Sequence, residues 1–439
     1  MFFIRPGMAT HPPICYEGGM TPRQRLAASL AHRTPDRVAV DFGASFVTGI
    51  HVSAVARLRG RLLGEAGYLV KVIEPYQMLG EIDDRLRAAL PIDVVGVPGR
   101  KSIFGTESRD WKPFRLFDGT ECLVPGQFNV TRAPEGGWHI YPEGDTSVVP
   151  SGHMPEGGYF FDSIIRQPPI DDDRLDPRDN LEEFALLDGP DINYYHAQKR
   201  WLEERADFGA LLVIPGAAFG DIALVPAPFL KNPRGIRDVE EWYVSTVSRR
   251  DYVLEVFDRQ CAIAEQNIRT LIELFGDMVQ VAVLTGTDFG TQRGPFISRE
   301  AYRTLYQPFH RRLNTLIHRQ SSWKTFIHTC GDVYPLIPDF IEAGFDILNP
   351  VQCSAAEMDP VRLKREFGGA VVFWGGGIDT QHTLPFGTPD EVYRQCRERI
   401  DIFGPDGGFV FDAIHNIQGP TPVENILALF RAITESARG

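Results

Sequence analysis

The segment FIHTCGD, residues 326–332, places a histidine two residues before a cysteine at the end of an apolar run. Imidazole nitrogen and thiolate sulfur are both zinc ligands. Residues i and i+2 of an extended chain point to the same side. Two ligands do not hold an ion, so the pair needs partners from elsewhere. Other apolar runs end in similar groups: Asp288 closes VAVLTGTD, Asn349 and Gln352 close DILNPVQ, Asp379 closes VVFWGGGID and His415 closes GFVFDAIH. His415 is the third ligand that this pattern offers to His328 and Cys330. Each residue also has a structural reading: a buried cysteine fills a core, a histidine is often satisfied by hydrogen bonds, and a strand-end aspartate caps the next helix. His51, in TGIHV, either joins the same place from the first unit or stays structural. Cys353, just past NPVQ, is a second-choice ligand or a filler, and His382 reads as a loop residue.

Elements of a particular kind must bring these groups together. RVAVDFGAS, IDVVGVPG, ALLVIPGAAFG, QVAVLTGTDFG, KTFIHTCGD, FDILNPVQ, AVVFWGGGID and GFVFDAIHNIQ are short apolar runs ending in glycine or polar residues. Amphipathic stretches such as VSAVARLRGRLL and DYVLEVFDRQCAIAEQNIRTLIELFG lie between them. This alternation predicts parallel strands joined by right-handed helical crossovers. Eight units predict a closed (β/α)8 TIM barrel, an α/β fold that gathers polar strand ends at one mouth. An open doubly wound sheet is the competing arrangement, but no glycine fingerprint for a dinucleotide opens a helix. Residues 101–165 break the rhythm with short β-prone runs and DG, PG and EGG turns, and are read as a β-rich insertion. Residues 1–20 read as an N-terminal arm, Thr21 as the cap of a first helix, and 166–180 as a connecting loop. The whole chain, 1–439, is then one barrel domain.

A net charge of -13 excludes nucleic acid and an anionic membrane as the main partner. No run is long enough to span a bilayer, and the first twenty residues lack the apolar core of a signal peptide. The six cysteines, 15, 122, 261, 330, 353 and 396, form no CxxC pair. Reduced thiols in a cytoplasmic setting are the expectation.

VDFGASFVTGIH, EPYQMLGEID, TDFGTQRGPFISREAYR, FIHTCGD, FDILNPVQ, GGGIDTQHTLPFGTPDEV and IHNIQGPTPVENI are spread over residues 20–437. As a set they resemble the uroporphyrinogen decarboxylase superfamily, and within it the corrinoid-dependent methyltransferases. In that branch a His-x-Cys pair after one strand and a cysteine after the last strand hold zinc. The resemblance therefore implies Zn2+ on His328, Cys330 and His415, with histidine standing where the branch has cysteine. True decarboxylases carry a histidine there too, but lack the His-x-Cys pair. Their arginine-rich clamp for a polycarboxylate has no counterpart around VDFGASFVTGIH.

The resemblance implies a demethylase-type methyltransferase that moves a methyl group between a small O- or S-methyl compound and cobalt. The corrinoid (cobalamin) would be carried by a separate partner protein, since no Asp-x-His-x-x-Gly pattern is present to hold it. Asp288 and Asp379 are the catalytic candidates for handling protons. His51, Gln292, Asn349 and Gln352 are the substrate-binding candidates, and Asp332 is the candidate acceptor that orients His328. A homo-oligomer is compatible with the sequence. Two other classes stay open: a metal-free decarboxylase-like lyase using aspartate and His415, and a non-catalytic binding protein on the same barrel.

Overall fold

The computed structural model describes residues 19–436. Most of the 1–20 arm, with Cys15, lies outside the described residues. Eight short strands form one parallel sheet: β1 Ala39–Val40, β2 Val94–Val97, β3 Gly209–Val213, β4 Val281–Thr285, β5 Lys324–His328, β6 Ile347–Asn349, β7 Val372–Trp374 and β8 Phe409–Phe411. Each of β2 to β8 pairs with its sequence neighbour, and β1 pairs with β8. The seam between β1 and β2 is bridged by a side chain. The Asp93 N–H donates to the Val40 carbonyl at 2.8 Å, and the Asp93 carboxylate accepts the Val40 N–H at 2.9 Å. Arg25 and Arg37 each reach this buried carboxylate at 2.6 Å. A buried charge at a seam persists only when paired in this way. The protein is a (β/α)8 barrel.

The two faces of the strands obey the period of two. Val281, Val283, Phe326, Ile347, Val372, Trp374 and Val410 fill the barrel interior. Their neighbours Ala282, Leu284, Ile327, Leu348, Phe373 and Phe411 pack outward beneath the helices. Because Phe326 faces in, His328 faces in as well, and Asn349 follows Ile347 by the same parity.

The helices begin and end on sequence signals. Thr21 caps Pro22–Leu30 through a capping box with Gln24. Gly64, at φ 67°, ends Val52–Leu63 in the left-handed conformation that glycine adopts without penalty. The longest helix, Arg250–Phe275, buries Val253, Val256, Phe257, Cys261, Ala264, Ile268 and Leu271 along one stripe, so Cys261 is core filling.

The β-rich segment makes two four-stranded sheets. One contains Val130–Arg132, Trp138–Ile140, Gly152–Met154 and Asp162–Ser163. The other joins Lys112–Arg115 and Glu121–Val124 to Val70–Glu74 and Leu79–Gly80. The strand Val70–Glu74 lies before residue 101 and pairs in parallel with Glu121–Val124. Periodicity over 101–165 alone cannot reveal that partnership, because the pairing is long-range. No described helix is long and apolar enough to cross a membrane.

Candidate metal centre

His328, the last residue of β5, and Cys330, two residues on, meet His415, four residues beyond β8. One ligand atom from each lies within 4.8 Å of the others. The imidazole rings of His328 and His415 stand edge to face with centroids 5.6 Å apart. Cys330 Sγ is 3.5 Å from His328 Nε2. A tetrahedral zinc with ordinary bond lengths places sulfur and nitrogen about 3.6 Å apart, so this pair is already at ligand spacing. The donor set of two imidazoles and one thiol fits zinc and leaves one position open.

The tautomer of His328 is fixed by its neighbour. Nδ1 lies 2.6 Å from Asn349 Oδ1, and Asn349 Nδ2 donates to the Trp374 carbonyl at 2.8 Å. That second bond assigns the amide its orientation, so Oδ1 must accept and Nδ1 must carry the proton. Nε2 is left with its lone pair facing the cluster. β5 and β6 pair with His328 opposite Asn349, which is why the contact forms.

The turn carrying Cys330 is held from several sides. Asp288 Oδ1 accepts the Cys330 N–H at 2.6 Å, Gln352 Oε1 accepts the Gly331 N–H at 2.7 Å, and the Thr291 carbonyl accepts the Asp332 N–H at 2.7 Å. Gly331 sits at φ 87°, and a Cβ there would lie 2.4 Å from the Gly290 backbone. Only glycine fits.

Burial sets the protonation states. His328 is pushed down to about 4 by burial, and His415 to about 4 by burial and the neighbouring His328. Both imidazoles are neutral at neutral pH, the form that ligates metal. Burial, and then the adjacent Asp288 carboxyl, hold the Cys330 thiol well above its ordinary value. A thiolate here needs a compensating cation. Asp288 is itself raised by burial, against the opposing pull of the Cys330 N–H and His415.

The other sequence candidates fall in several places. Asn349 and Gln352, expected to bind substrate, hydrogen-bond His328 and the Cys330 turn. Asp332 accepts the N–H groups of Tyr334 and Glu357 at 3.2 Å each, and orienting His328 falls to Asn349. His51 has both ring nitrogens engaged: Nδ1 accepts the Ser53 N–H at 3.1 Å, so Nε2 donates to the Tyr159 carbonyl at 2.9 Å. It caps a helix and ties that helix to the β-rich segment. Asp379 accepts from Gln381 N at 2.8 Å and meets His382 Nδ1 at 3.2 Å, within its own loop. Gln292 is exposed, and Cys353 is outside the cluster with its thiol pushed up to about 12 by burial. The structure adds two buried carboxyl groups that the sequence reading did not single out. Asp41 follows β1 and accepts Trp374 Nε1 at 3.1 Å, and Asp412 follows β8. Their common signal is an aspartate one residue past the last residue of the strand.

Residues 229–436, which carry the whole cluster, match the family model for uroporphyrinogen decarboxylase (URO-D). The matched segment is a little under half of the chain. The chain is also similar to a methylated-thiol–coenzyme M methyltransferase of Methanosarcina mazei, 33% identical over 144 residues. That alignment covers 32% of this chain and 34% of the relative, so the chain spans about a third of that relative's length. A solved structure of a methyltransferase from Methanosarcina mazei superposes with a TM-score of 0.52 at 15% identity, covering 95% of this chain and 99% of the other. That likeness shows the barrel fold alone.

Proposed function

We propose that this protein is a zinc-dependent methyltransferase that moves a methyl group between a small S- or O-methyl compound and a corrinoid carried by a separate protein. The convergence of His328, Cys330 and His415 carries this reading, since a half-buried thiol beside two neutral imidazoles is a ligand set. A metal-free decarboxylase would have little use for it. The methylated-thiol relative favours a thioether or methylthiol over a methyl ether.

Zinc on these residues would supply Lewis acidity to the sulfur or oxygen bearing the methyl group. The remaining work belongs to the chain. Asn349 keeps His328 in the one tautomer that offers Nε2 to the cluster. Gln352, Thr291 and Gly331 fix the turn that aims Cys330. Asp288, whose carboxyl is raised by burial, is placed beside Cys330 to exchange a proton with the thiolate or alkoxide in either direction. The Phe326, Trp374 and Val372 floor beneath excludes water from the barrel interior.

Protein purified without added zinc should contain about one tightly held zinc at this site. Cys330→Ala and His415→Ala should each strip it. With a corrinoid protein in its reduced cobalt form, a methyl thioether should change the corrinoid absorption spectrum, and chelation should abolish the change. Release of carbon dioxide from uroporphyrinogen would overturn the assignment.

A further inference from the structure

A second group of metal ligands lies in the β-rich segment. His139, in the strand Trp138–Ile140, is paired in register with His153, in Gly152–Met154. Residues directly opposite in an antiparallel pair have Cβ atoms about 4.5–5.5 Å apart and project from the same face. The alternate residues Ile140 and Met154 are buried, which directs both histidines outward. Their rings stand edge to face with centroids 5.5 Å apart.

The turn that joins Val130–Arg132 to Trp138–Ile140 brings Glu135 to the same spot. It is closed by the Gly136 N–H to the Ala133 carbonyl at 3.0 Å and the Ala133 N–H to the Gly137 carbonyl at 3.2 Å. Gly136 and Gly137 have φ of 96° and 90°, and a Cβ on Gly137 would lie 2.0 Å from the Met154 carbonyl. The turn is therefore pressed against the strand that carries His153, and only glycine permits the approach. Glu135 Oε1 lies 2.9 Å from His139 Nε2 and 3.9 Å from His153 Nε2. Ligand atoms from the three residues are all within 4.8 Å of one another. Donors around a tetrahedral zinc sit about 3.3 Å apart, between the two observed distances. Arg132, at the end of the strand before the turn, is paired with Glu156 at 2.8 Å, and its guanidinium lies over the Trp138 ring.

We propose that Glu135, His139 and His153 form a second metal site, for a divalent late first-row ion such as zinc. Two imidazoles and a carboxylate suit zinc, nickel or copper, and exclude the softer preferences of a thiolate site. His153 Nε2 lies 2.8 Å from the Gly136 carbonyl, a contact the ion would replace. Binding moves the proton of each imidazole to Nδ1 and leaves the ring neutral. The ion would staple the turn to the far strand, and the partial exposure of all three residues leaves a position for water or an anion. This site is independent of the reading of the barrel mouth.

Cobalt(II) titration of the full chain separates the two sites, because only the barrel site offers sulfur. Wild-type protein should bind two ions. Cys330→Ala should still bind one, with ligand-field bands and no sulfur charge-transfer band. The double variant His139→Ala, His153→Ala should keep the sulfur band and lose the other ion. Glu135→Gln should weaken zinc at the hairpin at least about tenfold, since losing even an outer-shell partner costs that much. All four substitutions lie on ligands themselves, and circular dichroism confirms that the variants are folded. Retention of two ions by the double histidine variant, or no binding at all by folded Cys330→Ala, would refute the site.

Discussion

Asn349→Ala tests the claim that the centre is built by tautomer control. The substitution removes the acceptor that holds the His328 Nδ1 proton at 2.6 Å and the donor to the Trp374 carbonyl at 2.8 Å. Both partners are buried, and each buried polar group left unpaired costs about 1–3 kcal/mol. The fold should therefore lose about 2–6 kcal/mol. His328 would then be free to carry its proton on Nε2, where it blocks the ligand position. Removing such an outer partner lowers metal affinity tenfold to a hundredfold, or about 1.4–2.7 kcal/mol. Asn349→Asp is the control. It keeps an acceptor for Nδ1 and strengthens it, so affinity should hold or rise while the bond to Trp374 is lost. Zinc competition against a chromophoric chelator, with thermal unfolding measured in parallel, separates the two effects. If Asn349→Ala folds and binds zinc within twofold of wild type, the tautomer argument is wrong.

Three further substitutions address the frame of the site. Gly331→Ala forces a Cβ into the Gly290 backbone and should unseat Cys330, with a stability loss above about 2 kcal/mol and depleted zinc; near-normal zinc content and melting temperature would contradict it. His51→Ala removes a helix cap and a link to Tyr159, costing about 1–2 kcal/mol while leaving zinc content and catalytic turnover unchanged. A raised Michaelis constant with unchanged stability would return His51 to a substrate role. Asp41 is buried and raised from 3.8 to about 7. Between those values the native state holds a proton that the unfolded chain releases, so this residue's contribution to stability falls as pH rises through the window, by at most about 4 kcal/mol. Asp41→Asn should flatten that part of a melting-temperature profile between pH 4 and 7. The buried histidines act with opposite sign and are unaffected. An unchanged slope would mean that Asp41 is ionised throughout.

The sequence by itself determined the barrel strands and the three residues of the candidate centre. All eight apolar runs became strands, because a short apolar run closed by glycine or a polar residue has few other ways to be buried. His328 and Cys330 were legible from their spacing, since residues two apart on a strand share a face whatever the strand's partners are. His415 was legible because in a barrel every strand ends at the same mouth. What tertiary structure decided is register and long-range pairing. The sequence pointed to Asp332 as the residue orienting His328 and to Asn349 as a substrate contact, yet Asn349 stands opposite His328 across β5 and β6. His51 and Asp379 are strand-end or turn residues like the ligands, but their polar atoms are taken up by neighbours two or three residues away and by Tyr159. The hairpin cluster shows the same limit most clearly. His139 and His153 are fourteen residues apart in a segment with no recognisable motif, and they meet only because an antiparallel register sets one against the other. Local pattern fixes which face a residue takes, while the partner across that face depends on how distant strands are aligned.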